Sequence, residues 1–536
     1  MFNDCNRNYI TSRMFNVAFS GKDTRVLAAG LDHGTVKIEG DENANTMGYG
    51  EWINPTGAIM GLFTDDSHAG PCAISMINPN TFFVTYTSGG LERTETAGED
   101  WVSTNFTSSS SLNSGSGIST TSFRMPILLY ENYDDDLNPQ TVWYFNTDTV
   151  PQTSGTTVKV LSNNKFPFNY TLTSTLAAGD SIEVHDPISA RFFVSFSNVL
   201  YMTRTPLQFD VEAEWYKVSD KPHSGLSGEP LCLGISSDGD NVFVGMKNGK
   251  FYRVSGLNTV LDATSGTITD SLFAVTTTEI TLPIDGQCVT SVSVDPRNNN
   301  KVIVTCGNYG NDNYVFYSTN AMADEPTFVS KQNNLPKMPV YSSLIEMETG
   351  DVILGTERGI YRTKNISSSA PAWTADTYLL GEIPVMDLKQ QLMFHNDEEV
   401  VNVTEEGVFK TVYPGVHNTG VIYAATYGRG VFRCENYKRD FTSIPETPAV
   451  ENTVSVSMYP NPAHGMATVS FELESSANVS YQVYDITGRM VMSQNVGRFT
   501  EGAHEIQINT ENLSTGSYIL HLSQGANSAA VKFLVY

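Results

Sequence analysis

One pattern recurs along the first 440 residues and constrains what they can build. A β-rich run ends in one or two glycines. Two or three mostly apolar residues follow, then usually a basic residue and often Thr or Ser. It reads GLDHGTVKI at Gly30–Ile38, TSGGLERTE at Thr87–Glu95 and, without the glycine, SNVLYMTRT at Ser197–Thr205. It returns as MKNGKFYRV at Met246–Val254, TERGIYRTK at Thr356–Lys364, TEEGVFKTV at Thr404–Val412 and TYGRGVFRC at Thr426–Cys434. Glycine at that place supplies the positive φ of a tight hairpin, with strands on both sides. Repeated hairpins at irregular spacings of roughly 20–110 residues read as propeller blades. Six glycine hairpins and one looser copy predict a single β-propeller of seven or eight blades over residues 1–440, with a larger ring or two incomplete rings as alternatives.

Composition supports an all-β protein. At 536 residues the chain exceeds one ordinary domain. Aromatic residues are 11%, enough to build cores, while charged residues are only 17% and Ser, Thr, Asn and Gly are abundant, a balance that suits short strands and turns. The net charge of −26 argues against nucleic acid or an anionic membrane as partner and keeps an exported protein soluble. None of the six cysteines has metal-site spacing, and Cys288 with Cys306, which flank a predicted strand, are the first pair to test for a disulfide. No run approaches the roughly 20 apolar residues of a membrane-spanning helix. The opening MFNDCNRNYITSRMFN has no apolar core of a secretory signal. The sequence is expected to be a fragment lacking its N-terminal portion.

The last 80 or so residues carry a different signal. Period-two alternation runs through Val454–Met458, Val469–Leu473, Val479–Val483, Ile506 and Ile508, Tyr518 to Leu522, and Val531 to Val535. Such alternation marks strands with one buried face, here a small β-sandwich over residues 453–536. Turn residues punctuate the strands at YPNP, DITGR and STG. The opening YPNPA, the central VYDITGRMV, the segment NLSTGSYILHL and the terminal VKFLVY resemble the C-terminal sorting domain of proteins exported by the type IX secretion system of Bacteroidetes. The residues carrying that resemblance are Pro460, Asn461, Pro462, Asp485, Gly488, Arg489, Gly516, Tyr518 and Lys532. The resemblance implies recognition by the outer-membrane translocon and removal by its sorting protease. The remainder is then anchored to surface lipopolysaccharide or released. Residues 441–452, overlapping the proline-containing RDFTSIPETPAV at Arg439–Val450, read as the linker.

A second signal follows several hairpins, a Ser/Thr-x-polar turn with an aromatic some residues on. Thr94–Trp101 is the fullest copy; Ser318–Asn320 with Phe328, Thr363–Asn365 with Trp373, and Thr203–Thr205 with Trp215 are looser ones. These resemble degenerate Asp-boxes, whose aromatic packs between blades, as in sialidases, sortilin-like receptors and xyloglucan-degrading propellers. Val289–Gly310 and Gly420–Arg433 look like sortilin-like or xyloglucanase-like propeller segments. Such likeness speaks to fold and little to activity.

Candidate chemistry is sparse. Phe123-Arg124-Met125-Pro126 resembles the sialidase FRIP motif, which implies that Arg124 binds a substrate carboxylate. An inverting hydrolase needs two carboxylates across a cleft, and Asp186 and Asp295 sit in the best-defined blade contexts. Both precede proline, which favours a turn in which Asp caps its own backbone. His185 reads as an ordinary loop histidine. Asp134, Asp135 and Asp136, with Glu131 and Asn138, are oxygen donors for calcium without the alternation of an EF-hand. Trp101, Trp215 and Trp373 have the spacing of inter-blade packing, whereas Trp52 and Trp143 fall outside it and are the better ligand candidates. No HExxH, GxSxG or phosphate loop is present. The expectation is an exported propeller that binds a glycan or protein ligand. The alternative is a glycoside hydrolase of xyloglucanase-like or sialidase-like type.

Overall fold

A computed structural model describes residues 13–21, 25–30, 34–39, 50–53, 69–86, 90–101, 106, 125–196, 198–219, 225–261, 275–376, 380–404, 407–439, 456–473, 476–485, 490–511, 513–524 and 527–536. The chain divides into two compact units, Met1–Arg439 and Asp440–Tyr536. The expected linker, 441–452, lies outside the described residues.

The first unit is a β-propeller of seven blades. Each blade is an antiparallel sheet in sequence order, with four strands in blades 1, 3, 4, 5 and 6 and three described strands in blades 2 and 7. The first strands of the blades are Met14–Phe19, Ala69–Ile74, Ile127–Asn132, Pro230–Ile235, Val289–Asp295, Val340–Ile345 and Val385–Gln390. Each of these touches the next, and the seventh touches the first, so they form the inner wall of a closed ring.

Both faces of a blade are covered by neighbours, which is why a strand such as Ser189–Phe196 is buried along its whole length. Seven apolar clusters fill the seven seams. Phe83, Phe192 and Trp215 meet between blades 2 and 3, Phe243, Phe251 and Phe328 between blades 4 and 5, and Ile303, Leu354 and Trp373 between blades 5 and 6. Blade 7 closes on blade 1 through Tyr423 stacked on Phe19, ring centroids 4.3 Å apart. Burying one such side chain is worth about 1.5–3 kcal/mol, so each seam is a substantial source of stability.

The hairpin copies explain the turns. Gly34, Gly249, Gly359 and Gly430 hold positive φ, and Asn198 takes that conformation, φ 67°, in the copy that lacks glycine. Asn tolerates the left-handed region better than most residues. The basic residue of the repeat has a regular task. It lies on, or directly after, the third strand of one blade and donates to a carbonyl, or in one case a hydroxyl, beyond the third strand of the next blade. Lys37 Nζ reaches Ala97 O at 3.2 Å, and Arg93 reaches Pro206 O at 2.6 Å and Gln208 O at 2.9 Å. Arg204 reaches Leu261 O, Arg253 reaches Ala321 O at 2.5 Å, and Arg362 reaches the Tyr437 hydroxyl at 3.1 Å. Blade 5 lacks the hairpin copy, and Lys331 substitutes, donating to Ser368 O at 2.6 Å. Charge-assisted bonds of this kind are stronger than neutral ones and satisfy turn carbonyls at the edge of each seam.

A second belt runs through the loops that leave the inner strands. Arg25 donates to Pro79 O, Glu131 accepts from Met76 N–H, and the Tyr130 hydroxyl donates to Ser237 O. Ser237 N–H then donates to Asn299, Arg297 to Glu348 O, Gln390 to Glu346, and Asn418 to Ser20 O. Asn16 joins three blades, donating to Asp387 of blade 7 at 2.8 Å and accepting Cys72 N–H of blade 2 at 2.9 Å. Cys72, Cys232, Cys288, Cys306 and Cys434 are free thiols, so Cys288 and Cys306 are not bridged.

Among the described residues, two insertions interrupt the regular blades. Blade 3 carries Thr141–Phe145 paired with Ser181–His185, and Thr157–Leu161 paired with Pro167–Thr171, around a small core of Val142, Val158, Val160, Leu172 and Val184. Blade 7 carries the hairpin Glu398–Thr404 and Gly407–Tyr413. The two insertions meet: Lys159 pairs with Glu398, and Phe166 packs edge-on against Tyr413 and His395.

The second unit is a β-sandwich. Val456–Tyr459, Met466–Leu473 and Gly502–Asn509 form one sheet, while Met490–Phe499, Ala477–Asp485, Gly516–Gln524 and Asn527–Val535 form the other. Val469, Phe471, Val483, Leu520, Leu522 and Phe533 fill the space between them.

Candidate functional site

The carboxylates singled out in the sequence are committed to structure. Asp186 is buried and accepts Asn163 N–H at 2.7 Å, the Asn163 amide at 3.1 Å and Ile188 N–H at 3.0 Å. Burial raises its pKa, against the pull of those donors. Asp295, also buried, accepts Arg297 N–H at 3.0 Å and, side-on, the Arg297 Nε and Nη2 at 2.9 and 3.0 Å. The two residues sit in blades 3 and 5, each answered by donors of its own blade. His185 Nε2 lies 2.9 Å from Asn138 O.

Asp135 is drawn into a buried ion pair with Arg191 at 3.2 Å and accepts the Ser189 hydroxyl at 2.5 Å, while Asp134 and Asp136 are exposed. Glu131 is turned the other way, into the seam with blade 2, where Ser75, Met76 and Ile77 donate to it. Burial pushes its carboxyl up to about 7. The three aspartates are therefore not gathered around one point, and the described residues hold no cluster of three or more His, Cys, Asp or Glu able to share a metal ion. Arg124 and the side chain of Trp52 lie outside the described residues.

Trp215 and Trp373 are buried in seams and donate their indole N–H to Phe106 O at 2.7 Å and Lys331 O at 2.8 Å. Trp101 packs beside the cluster between blades 1 and 2. Trp143 is different. It lies on the insertion strand Thr141–Phe145, whose alternation places Val142 in the small core and leaves Trp143 56% and Phe145 59% exposed. The two rings share one face of the strand, about 7 Å apart along it. Across the strand pair they face Glu183 and Ser181. The result is an apolar platform edged by polar side chains. Phe145 escaped the sequence reading, although the alternation of Thr141, Val142, Trp143, Tyr144 and Phe145 contains it.

In the tail, the residues of the sorting motif act on its last strand. The Asn461 amide donates to Lys532 O at 3.1 Å and its carbonyl accepts Leu534 N–H at 2.9 Å. Ala463 N–H donates to Leu534 O at 2.7 Å, and Tyr536 N–H donates to Ala463 O at 3.3 Å. The segment thus covers the free edge of Asn527–Val535. Pro460 and Pro462, with no N–H, offer no ladder donors to a further strand. Tyr518 stacks on Phe533 and donates its hydroxyl to Ser514 O at 2.7 Å, fixing the strand that starts at Gly516. Asp485 ends its strand opposite Tyr518; its side chain, Gly488 and Arg489 lie outside the described residues.

Residues 457–536 match a family model described as a secretion system C-terminal sorting domain. No curated protein matches the sequence. Among solved structures, YCF48 from Cyanidioschyzon merolae is similar with a TM-score of 0.40 and 10% identity, over 79% of this chain and 95% of that one. PorZ, described as an essential bacterial surface component of the type-IX secretion system of Porphyromonas gingivalis, is similar with a TM-score of 0.22 and 12% identity, over 98% of this chain and 82% of that one.

Proposed function

We propose that this chain, a β-propeller joined to a type IX sorting domain, is an exported surface-attached or released protein that binds a glycan through Trp143 and Phe145. The sorting domain marks the chain for the cell surface or beyond. Its last two strands present Ile519, Lys532, Leu534 and Tyr536 on one exposed face, the surface offered to the translocon and its sorting protease. Anchoring of the remainder to surface lipopolysaccharide follows if the protease transfers it.

The observation that carries the glycan reading is the exposed aromatic pair. Flat rings on one strand face stack on the apolar faces of sugars, and neighbouring Glu183 and Ser181 are placed to bond hydroxyls. Binding is favoured over hydrolysis because Asp186 and Asp295 are each held by three bonds within their own blades. A glycan array probed with the intact chain and with a Trp143→Ala/Phe145→Ala variant tests this. Binding lost in the variant at unchanged Tm supports it. Array signal unaffected by the variant, or binding only to protein ligands, overturns it, and released reducing sugar on the bound glycan would restore the hydrolase.

A further inference from the structure

Between blades 5 and 6, where the inner strands end, lies a cavity of about 410 Å³. Its size falls in the range of small-molecule sites, about 300–1,000 Å³. What distinguishes it is the imbalance of its polar lining. Three side-chain acceptors are taken: the Asp295 carboxylate holds Arg297, the Asn298 side-chain carbonyl accepts Asn300 N–H at 3.1 Å, and the Asn365 side-chain carbonyl accepts Ser368 N–H at 3.1 Å. The donors are not. Among the described residues, half-buried Lys301 and exposed Lys364 line the cavity with no carboxylate or carbonyl partner, and the amide nitrogens of Asn298 and Asn365, also exposed, are likewise uncommitted. In a chain with 58 acidic and 32 basic residues, two unpaired ammonium groups beside one cavity run against the overall charge. Gly350, at φ +72°, lets the Arg297 guanidinium lie against the wall, because a Cβ there would fall 2.4 Å from Arg297 Nη2.

We propose that this cavity binds a small organic oxyanion, a carboxylate or a phosphate ester. Lys301 and Lys364 take the charged group and the Asn298 and Asn365 amides donate to its oxygens. Charge-assisted bonds of this type make one anionic group decisive for affinity. The site is separate from the aromatic platform of blade 3 and does not depend on it.

Calorimetric titration of the intact chain with glucuronate, glucose 6-phosphate, glucose and inorganic phosphate tests the assignment, the first two separating carboxylate from phosphate. At least one of the two sugar anions is expected to bind, at least about tenfold more tightly than glucose, since one charge-assisted bond is worth about 1.5–3 kcal/mol. A Lys301→Gln/Lys364→Gln variant should lose at least tenfold at unchanged Tm, while the Trp143→Ala/Phe145→Ala variant should bind these anions normally. Equal binding of glucose, undiminished binding by the double glutamine variant, or no binding of either sugar anion tighter than about 1 mM overturns the proposal. Inorganic phosphate binding as tightly as glucose 6-phosphate overturns the organic ligand.

Discussion

The propeller and the tail solve the same problem in opposite ways. Each is built from antiparallel strands with polar groups left over at edges and seams. The propeller distributes the solution around a circle, with an apolar cluster at every seam and, from blade 1 through blade 6, a cation donating into the next blade. The tail concentrates it in one segment, Asn461 to Ala463, laid along its last strand. Repetition makes each blade junction one of several equivalents, whereas the tail has a single clamp for the edge that its last strand presents.

The comparison can be broken at several points. Deleting Leu513–Tyr536 removes two strands of the tail's larger sheet and should leave the protein periplasmic while the propeller still folds. Surface labelling and fractionation read the outcome, and protein still on the surface would refute the sorting assignment. Trp215→Ala should cost the propeller about 4 kcal/mol through the cavity it leaves, and the calorimetric transition of the tail should not move. Arg93→Ala should cost about 3 kcal/mol, by leaving Pro206 O and Gln208 O without their donor, and is measured by chemical denaturation.

Glu131 sharpens the picture through pH. Its carboxyl, pushed up to about 7 by burial, prefers its proton in the folded state. The stability it lends is full below its ordinary value near 4.5 and is lost as pH rises through about 7. Propeller Tm should therefore fall between pH 5 and 8, and Glu131→Gln should flatten that slope, whatever it does to the level. The smallest effect is expected from Asn461→Ala, about 1–2 kcal/mol on the tail alone, with faster amide exchange at Leu534 as the direct readout.

Much of the architecture was legible in the sequence because the turns were. Positive φ at a hairpin demands glycine or asparagine, and that chemistry is local. The count of seven copies nevertheless matches seven blades for the wrong reason. Thr404–Val412 is the hairpin inserted in blade 7, and blade 5 shows no copy because its second and third strands are joined by a longer stretch, Gly307 to Tyr314. The task of the basic residue was not legible, since its partner sits in the following blade. The same holds for Asp186 and Asp295, where proximity to proline predicted capping and the structure shows it, but only coordinates reveal Arg297 and Asn163 as the partners. The cavity of Lys301 and Lys364 had no local signature, because its walls come from two blades.

The seam between blades 7 and 1 differs from the others in one respect. Six seams join neighbours along the chain, but Asn16 must find Asp387, 371 positions later. During synthesis and transit the strand Met14–Phe19 stands ready long before its proper mate exists. At high local concentration a second molecule can supply that mate first. The ring then closes between two chains rather than within one, giving a swapped dimer with every contact of the monomer preserved. Crowding thus becomes a kinetic hazard centred on this one seam, and dilution during refolding its remedy.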